Sequence, residues 1–267
     1  MTAIDFIPFV ERLATVSGEA ILPFFRTAFA LEDKNVGGPF DPVTEADRAA
    51  ETAMRRLITQ TFPSHGLIGE EFGSREAEAD YVWVLDPIDG TKSFISGLPL
   101  WGTLIGLLHK GSPCYGLMNQ PFTRERFYGD GRAAFWSGHN NGNGEKTTRK
   151  LRVRPCHGLE RATLMTTSPR LIPQDLRPRY EALEEKTRMA RYGGDCYAYC
   201  MLAAGHVDLV VEAGLNVYDI VALIPIIEGA GGIVTSWDGG DPAQGGAVIA
   251  AGDKRVHEQA LEFLKTK

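Results

Sequence analysis

Cysteine is scarce in this sequence, with four in 267 residues and no C-x-x-C pair. Cys196 and Cys200 are four apart, which on a helix is one face, while Cys114 and Cys156 stand alone. That spacing fits neither a disulfide framework nor a zinc site, and the four read as small buried hydrophobes in a reducing compartment. Basic residues are not in excess. Lys+Arg total 28 against 34 Asp+Glu, a formal net charge of −6, which excludes a general affinity for nucleic acid or anionic membranes and leaves room only for a small local basic patch. The longest apolar run, Ile220 to Ile227, is far short of the roughly 20 residues a spanning helix needs. Met1–Asp5 has no basic n-region and no apolar h-region behind it, so no signal peptide is expected and the protein is expected in the cytoplasm. There is no G-x-S-x-G, and the six histidines are scattered, which removes support for Ser/His/Asp hydrolase chemistry. No internal repeat is found.

What remains is an ordinary globular composition, 43% hydrophobic and 23% charged, in a chain long enough to bury a core without staples. A single domain over 1–267 is expected, in two halves, 1–145 and 146–267. The Gly/Asn-rich stretch Gly138–Glu145 is the candidate seam.

Phe6, Phe9, Val10, Leu13, Val16, Ala20 and Phe24 recur at helical period and predict a first helix, which the Gly/Pro-rich stretch Gly37–Pro42 then breaks. Thr44-Glu-Ala-Asp47 has the form of a capping box and predicts a second helix, with Ala50, Ala53, Met54, Leu57 and Ile58 as its apolar face. The middle of the chain is strand-like at 81–85, 102–108, 115–118, 126–128 and 133–136. Strand and helix then alternate: strands at 162–166, 207–211, 233–237 and 247–251, and helices at 179–186, 196–204, 217–230 and 253–264. Pro225 predicts a kink within the 217–230 helix. Two β-rich halves with helices between suggest stacked sheet and helix layers.

The sharpest chemical signal is Trp83-Val-Leu-Asp86-Pro-Ile-Asp89-Gly-Thr91. An apolar strand runs into two carboxylates three apart. Pro87 keeps Asp86 out of the helical region, and Gly90 permits a tight turn from which Thr91 opens a helix. Asp86, Asp89 and the Ile88 carbonyl can then converge beyond the strand as oxygen ligands suited to a hard cation such as Mg²⁺, and the helix N-terminus offers N–H groups to a phosphate. Upstream, Leu67-Ile-Gly-Glu70-Glu71 places acids after an apolar stub. Downstream, Asp219 follows Tyr218 at the opening of an apolar helix. Glu70, Asp86, Asp89 and Asp219 in one site would repel one another and any phosphate unless cations neutralised them, so the set implies metal, more than one ion.

On Gly69-Glu70-Glu71, Trp83–Thr91, and Asp219 with Glu228-Gly-Ala-Gly-Gly232, the sequence resembles the inositol monophosphatase family of Mg²⁺-dependent phosphatases, related to the fructose-1,6-bisphosphatase fold. The resemblance covers nearly the whole chain. It implies an α+β fold layered α/β/α/β/α, a homodimer, and two or three Mg²⁺ ions held by Glu70, Asp86, Ile88 through its carbonyl, Asp89 and Asp219. It implies further that Thr91 and Asp47 orient the attacking water, with Glu70 beside them as a catalytic residue, and that the backbone of Gly90 and Thr91 holds the phosphate. Asp47 on its own residues also reads as the capping acid.

The sequence departs from the family pattern in two places: Tyr218 stands for the usual Trp, and Lys92-Ser93 replace the usual residues after the Thr. Asp89–Thr103 (DGTKSFISGLPLWGT), Gly193–Tyr199 (GGDCYAY) and Val211–Leu215 (VEAGL) resemble the histidinol-phosphate phosphatase branch. Histidinol phosphate carries an ammonium and an imidazole, and Asp195 and Glu212 are candidate acids for that end, with Asp219 completing the substrate contacts. Asp195 also reads as a helix N-cap before Cys196, and Glu212 as a solvated strand-end acid. Inositol monophosphate or a related sugar phosphate is the alternative substrate. A same-fold protein acting mainly as a binding or regulatory partner is the alternative from another class.

Overall fold

The structure, a computed structural model, describes residues 6–27, 31–33, 42–139 and 145–265. The first apolar stripe forms α1 (Ile7–Ile21), and the capping box opens α2 (Glu45–Thr61). Thr44 N donates to Asp47 Oδ2 at 2.9 Å, and Ala46 N donates to Thr44 Oγ1 at 3.1 Å, so two donors without helical partners are satisfied. Between the helices, β1 (Leu31–Asp33) pairs with β2 (Pro42–Thr44). The expected breaker lies outside the described residues except for Pro42, as do 140–144 of the expected seam.

Two sheets follow. The larger is built from β3 (Gly66–Gly69), β4 (Gly73–Arg75), β5 (Tyr81–Asp89), β6 (Gly102–His109), β7 (Ser112–Gln120), β8 (Glu125–Gly129), β9 (Ala134–His139) and β10 (Lys146–Lys150). Its order is β10-β9-β8-β7-β6-β5-β3-β4, antiparallel except for the β3–β5 pair. The smaller contains β11 (Thr163–Thr166), β12 (Met189–Tyr192), β13 (Leu209–Leu215), β14 (Ile233–Ser236) and β15 (Gly246–Ala251), in the order β12-β11-β13-β15-β14. The helices are α3 (Thr91–Ile95), α4 (Arg177–Glu184), α5 (Asp195–Ala203), α6 (Val217–Ile220), α7 (Leu223–Gly229) and α8 (Lys254–Leu264).

The sheets' side-chain alternation sets the layers. Val10, Leu13, Met54 and Ile58 of α1 and α2 cover one face of the large sheet through Trp83, Leu85, Ile105 and Leu117. The opposite face, with Leu104, Met118 and Phe127, shares a core with Cys200, Leu223 and Ile227 of α5 and α7 and with Val210, Val248 and Ala250 of the small sheet. Val211 and Ile249, neighbours of opposite facing, turn to Tyr180, Leu183, Val256 and Leu261 of α4 and α8. The result is helix, sheet, helix, sheet, helix. Strands buried on both faces explain why 104–108 is an unbroken apolar run rather than an alternating one.

Two expectations shift. Lys146–Lys150, expected in the second half, pairs with β9 and so belongs to the large sheet; the chain passes to the small sheet only after it. The expected 217–230 helix is two helices, interrupted at Val221–Ala222 rather than kinked at Pro225. A proline ring clashes with the carbonyl four residues back, here that of Val221, so the break falls there and Pro225 sits in the first turn of α7. Among the described residues, no helix is long and apolar enough to cross a membrane.

Candidate active site

The D-P-I-D-G-T string closes β5, which is buried from Val82 to Ile88. Asp86 pairs with Leu104 and Asp89 with Gly102, so Pro87 and Ile88 together oppose Thr103 alone. Thr103 Oγ1 donates to the Pro87 carbonyl at 2.8 Å across this bulge. Residues three apart in a regular strand face opposite ways; the extra residue brings both carboxylates to one side. Proline, lacking an N–H, is at home in a bulge. Gly90 then takes φ 88°, and a Cβ there would come within 2.9 Å of the Leu100 carbonyl oxygen, so the turn needs glycine.

The other acids arrive from neighbouring elements. Because β3 runs parallel to β5 with Gly69 opposite Leu85, the next residue, Glu70, emerges beside Asp86, its N–H donating to the Leu85 carbonyl at 3.2 Å. Val217, Tyr218 and Val221 pack with Val82, Val84 and Leu108, which brings Asp219 to the end of β5. Asn216 N donates to Asp219 Oδ2 at 2.6 Å, so Asp219 closes a capping box on α6 as well as facing the site.

Ligand oxygens of Asp86, Asp89 and Asp219 lie within 4.8 Å of one another. Like charges at that separation repel by roughly 3 kcal/mol at an effective dielectric constant of about 20. Burial, then the charges of Glu70, Asp89 and Asp219, push Asp86 well above the usual carboxylate range. Burial raises Asp89 in the same way, joined by the charges of Asp195 and Asp219, and raises Asp219 to about 7. Asp86 is 2% exposed, and its Oδ1 has no hydrogen-bond partner among the described residues. Buried carboxylates that repel one another, one with an orphaned oxygen, are what a site for a hard divalent cation supplies; the residues fit such an ion.

A cavity of about 330 Å³ opens on this cluster. Glu70, Asp89, Asp195, Glu212 and Asp219 line it, and Lys92 is the one basic residue among the described lining residues. Gly90 and Thr91 form part of its wall, and the Thr91 hydroxyl donates to the Ile88 carbonyl at 3.1 Å. Asp47, 1% exposed, is held in the α2 cap, its Oδ2 also accepting from Thr44 Oγ1 at 2.6 Å.

Asp195 is the first residue of α5, not its cap. Gly194 takes the cap position, and Asp195 itself has φ 45°, a left-handed conformation that Asp tolerates better than most residues. This turn aims Cys196 N at Asp89 Oδ2, 2.5 Å away, and brings Asp195 Oδ2 to 3.2 Å from Ser93 Oγ. Glu212 is 4% exposed rather than solvated. Its Oε1 accepts from Thr167 N at 2.6 Å and Thr167 Oγ1 at 2.9 Å, and its Oε2 from Thr166 Oγ1 at 3.1 Å. Burial still raises it to about 7 against those bonds.

Sequence reasoning missed Thr166, Thr167 and Asn216 as the holders of Glu212 and Asp219. For Asn216 a signal existed, since Asn three residues ahead of Asp is a capping pattern. For the two threonines there was none, because their partner is 45 or more residues away.

The family model for inositol monophosphatases matches residues 5–266. The chain is 47% identical over 266 residues to the bifunctional phosphatase IMPL2, chloroplastic, of Arabidopsis thaliana, covering 96% of this chain and 73% of that one. It is 36% identical over 225 residues to a histidinol-phosphatase of Mycobacterium tuberculosis, covering 84% of each. The structure of an inositol monophosphatase from Zymomonas mobilis superposes with a TM-score of 0.84 at 41% identity, over 99% of both chains.

Proposed function

This chain belongs to the inositol monophosphatase family, and from that premise we propose that it hydrolyses histidinol phosphate to histidinol and phosphate, with Mg²⁺ as its metal. Its membership of the family makes it a metal-dependent phosphoric monoester hydrolase. One observation supports histidinol phosphate as the substrate. Asp195 and Glu212 line the same cavity as Asp89 and Asp219, so an acidic wall stands next to the metal cluster, where the alcohol of a bound phosphomonoester would lie. A cationic amino-imidazole group matches two carboxylates; a neutral polyol needs hydrogen bonds but no charge.

In this reading Glu70, Asp86, Asp89, Asp219 and the Ile88 carbonyl hold two or three Mg²⁺ ions. When bound, Mg²⁺ supplies Lewis-acid stabilisation of phosphoryl charge and lowers the pKa of water. Thr91 orients the attacking water, with Asp47 as its carboxylate partner, since a hydroxyl alone is a poor base. Gly90 and Thr91 present backbone N–H groups to the phosphate. The family resemblance adds a homodimer to the proposal.

The second reading, an inositol or sugar phosphate as substrate, draws on the Zymomonas structure at 41% identity. Charge variants separate the two. Asp195→Asn and Glu212→Gln are expected to lower kcat/KM for histidinol phosphate by roughly ten- to a hundredfold each, from a loss of about 1.5–3 kcal/mol per charge-assisted contact. A neutral aryl phosphate should fall much less. Equal losses on both substrates would mean that the acids act through the fold, and the histidinol phosphate assignment would lose its physical support.

A further inference from the structure

We infer that Glu51, on α2, is a positioning residue for Glu70, anchored by Arg55; the inference rests on the metal-dependent reading above. Glu51 is fully buried, at 0% exposure, although it lies outside the cavity lining and the carboxylate cluster. Its Oε2 accepts from Glu71 N at 2.8 Å, and its Oε1 accepts from Phe72 N at 3.2 Å and from Arg55 Nε at 2.6 Å. Arg55 in turn donates from its second nitrogen to the Gly73 carbonyl. On the other side of Glu70, a Cβ on Gly69 would overlap the Glu51 carboxylate, so the absence of a side chain at 69 is what admits it.

One side chain therefore binds the two residues that follow Glu70 and packs on the one that precedes it. Its ion-pair partner fixes the start of β4, and Glu70 N is tied to β5 through the Leu85 carbonyl. A buried carboxylate is unfavourable unless it is paired and hydrogen-bonded, and Glu51 meets that condition by gathering the loop's donors. The Glu70 charge in turn acts on both Asp86 and Asp219. A change in the Glu51–Arg55 clamp thus moves a carboxylate of the metal cluster without touching the cluster itself, the way outer partners orient ligands elsewhere.

The test uses Glu51→Gln, which keeps the volume but turns an NH₂ group toward donors and leaves Arg55 without its charge partner. In the metal-free protein, amide hydrogen exchange at Glu71 and Phe72 should accelerate. Calorimetric titration with Mg²⁺ alone should give a Kd raised about tenfold, while kcat at saturating Mg²⁺ stays within roughly threefold of wild type. Glu51→Asp, which restores the charge on a shorter arm, should fall between. A folded Glu51→Gln protein with the wild-type Kd for Mg²⁺ overturns the inference. Should circular dichroism find that variant unfolded, Arg55→Gln replaces it under the same expectation, and an unchanged Kd there also overturns it. If the wild-type chain binds no Mg²⁺, the metal-dependent reading itself fails, whereas unchanged exchange at Glu71 and Phe72 refutes the clamp alone.

Discussion

Ser93 Oγ donates to Asp195 Oδ2 at 3.2 Å, joining the short helix after the D-P-I-D-G-T string to the start of α5, 102 residues further along the chain. Both residues belong to the stretches that resemble the histidinol-phosphate phosphatase branch, and they meet at the edge of one cavity. Ser93 holds the acid that the proposal assigns to the substrate's cationic end. Ser93→Ala should then lower kcat/KM for histidinol phosphate by roughly five- to tenfold, the loss of about 1 kcal/mol for one hydrogen bond. Turnover of an aryl phosphate, measured in parallel, should change by less than about twofold. Equal effects on both would detach Ser93 from substrate selection.

Asp89→Asn should abolish turnover in a protein that still folds. The amide oxygen can keep the bond from Cys196 N, while the charge at the cluster is gone. Without metal, the variant should melt at or above the wild-type temperature, because burial and the Asp195 and Asp219 charges already disfavour the Asp89 carboxylate. A loss of more than about a hundredfold in kcat is expected. Near-normal activity at saturating Mg²⁺ would remove Asp89 from the metal set.

How far the site could be read in advance follows from how local each signal is. Asp86, Asp89 and Gly90 are legible because strand, bulge and turn lie within nine residues. The capping role of Asp47 is legible because its partner is three residues away. Glu51 is not: with Arg55 at i+4 it looks like a surface pair, and only the β3–β4 loop packing on it makes it buried. The break before Pro225 required counting back to the carbonyl that the ring displaces. β10 and β12 escaped because Lys146-Thr-Thr-Arg-Lys and Met189-Ala-Arg-Tyr are short, mostly exposed edge strands, with no buried apolar alternation to reveal them.

Removal of metal should stop the reaction. Activity should vanish in EDTA and return with Mg²⁺, and Mg²⁺ should raise the melting temperature of the metal-free protein by mass action. Excess Ca²⁺ should inhibit, since it binds oxygen at about 2.3–2.6 Å in looser geometry than the roughly 2.0–2.1 Å of Mg²⁺. Lithium inhibition is expected on the family resemblance. Full activity in EDTA would refute the metal requirement.

Asp253 sets the acid limit of the C-terminal helix. Its Oδ1 accepts from Arg255 N at 2.9 Å and its Oδ2 from Cys156 N at 3.0 Å, with the Arg255 guanidinium closing on it at 2.6 Å. The Arg255 side chain, chiefly, holds this carboxyl well below the usual range. Its pKa is thus lower folded than unfolded. The native state binds fewer protons, and the stabilisation is complete above the unfolded value of about 3.9 and fades as pH falls toward the folded one. Asp253→Ala should cost about 1–2 kcal/mol at neutral pH, a gap that narrows below roughly pH 4. Urea midpoints of the two proteins across pH check this, and a gap that stayed constant through that range would mean the ionised carboxylate is not its source.

The most direct measurement is kcat/KM for phosphate release from histidinol phosphate against inositol 1-phosphate, in one preparation at saturating Mg²⁺. One charge-assisted contact used by only one substrate predicts a preference of at least about tenfold for histidinol phosphate. Equal values, or a preference for inositol 1-phosphate, would contradict the account.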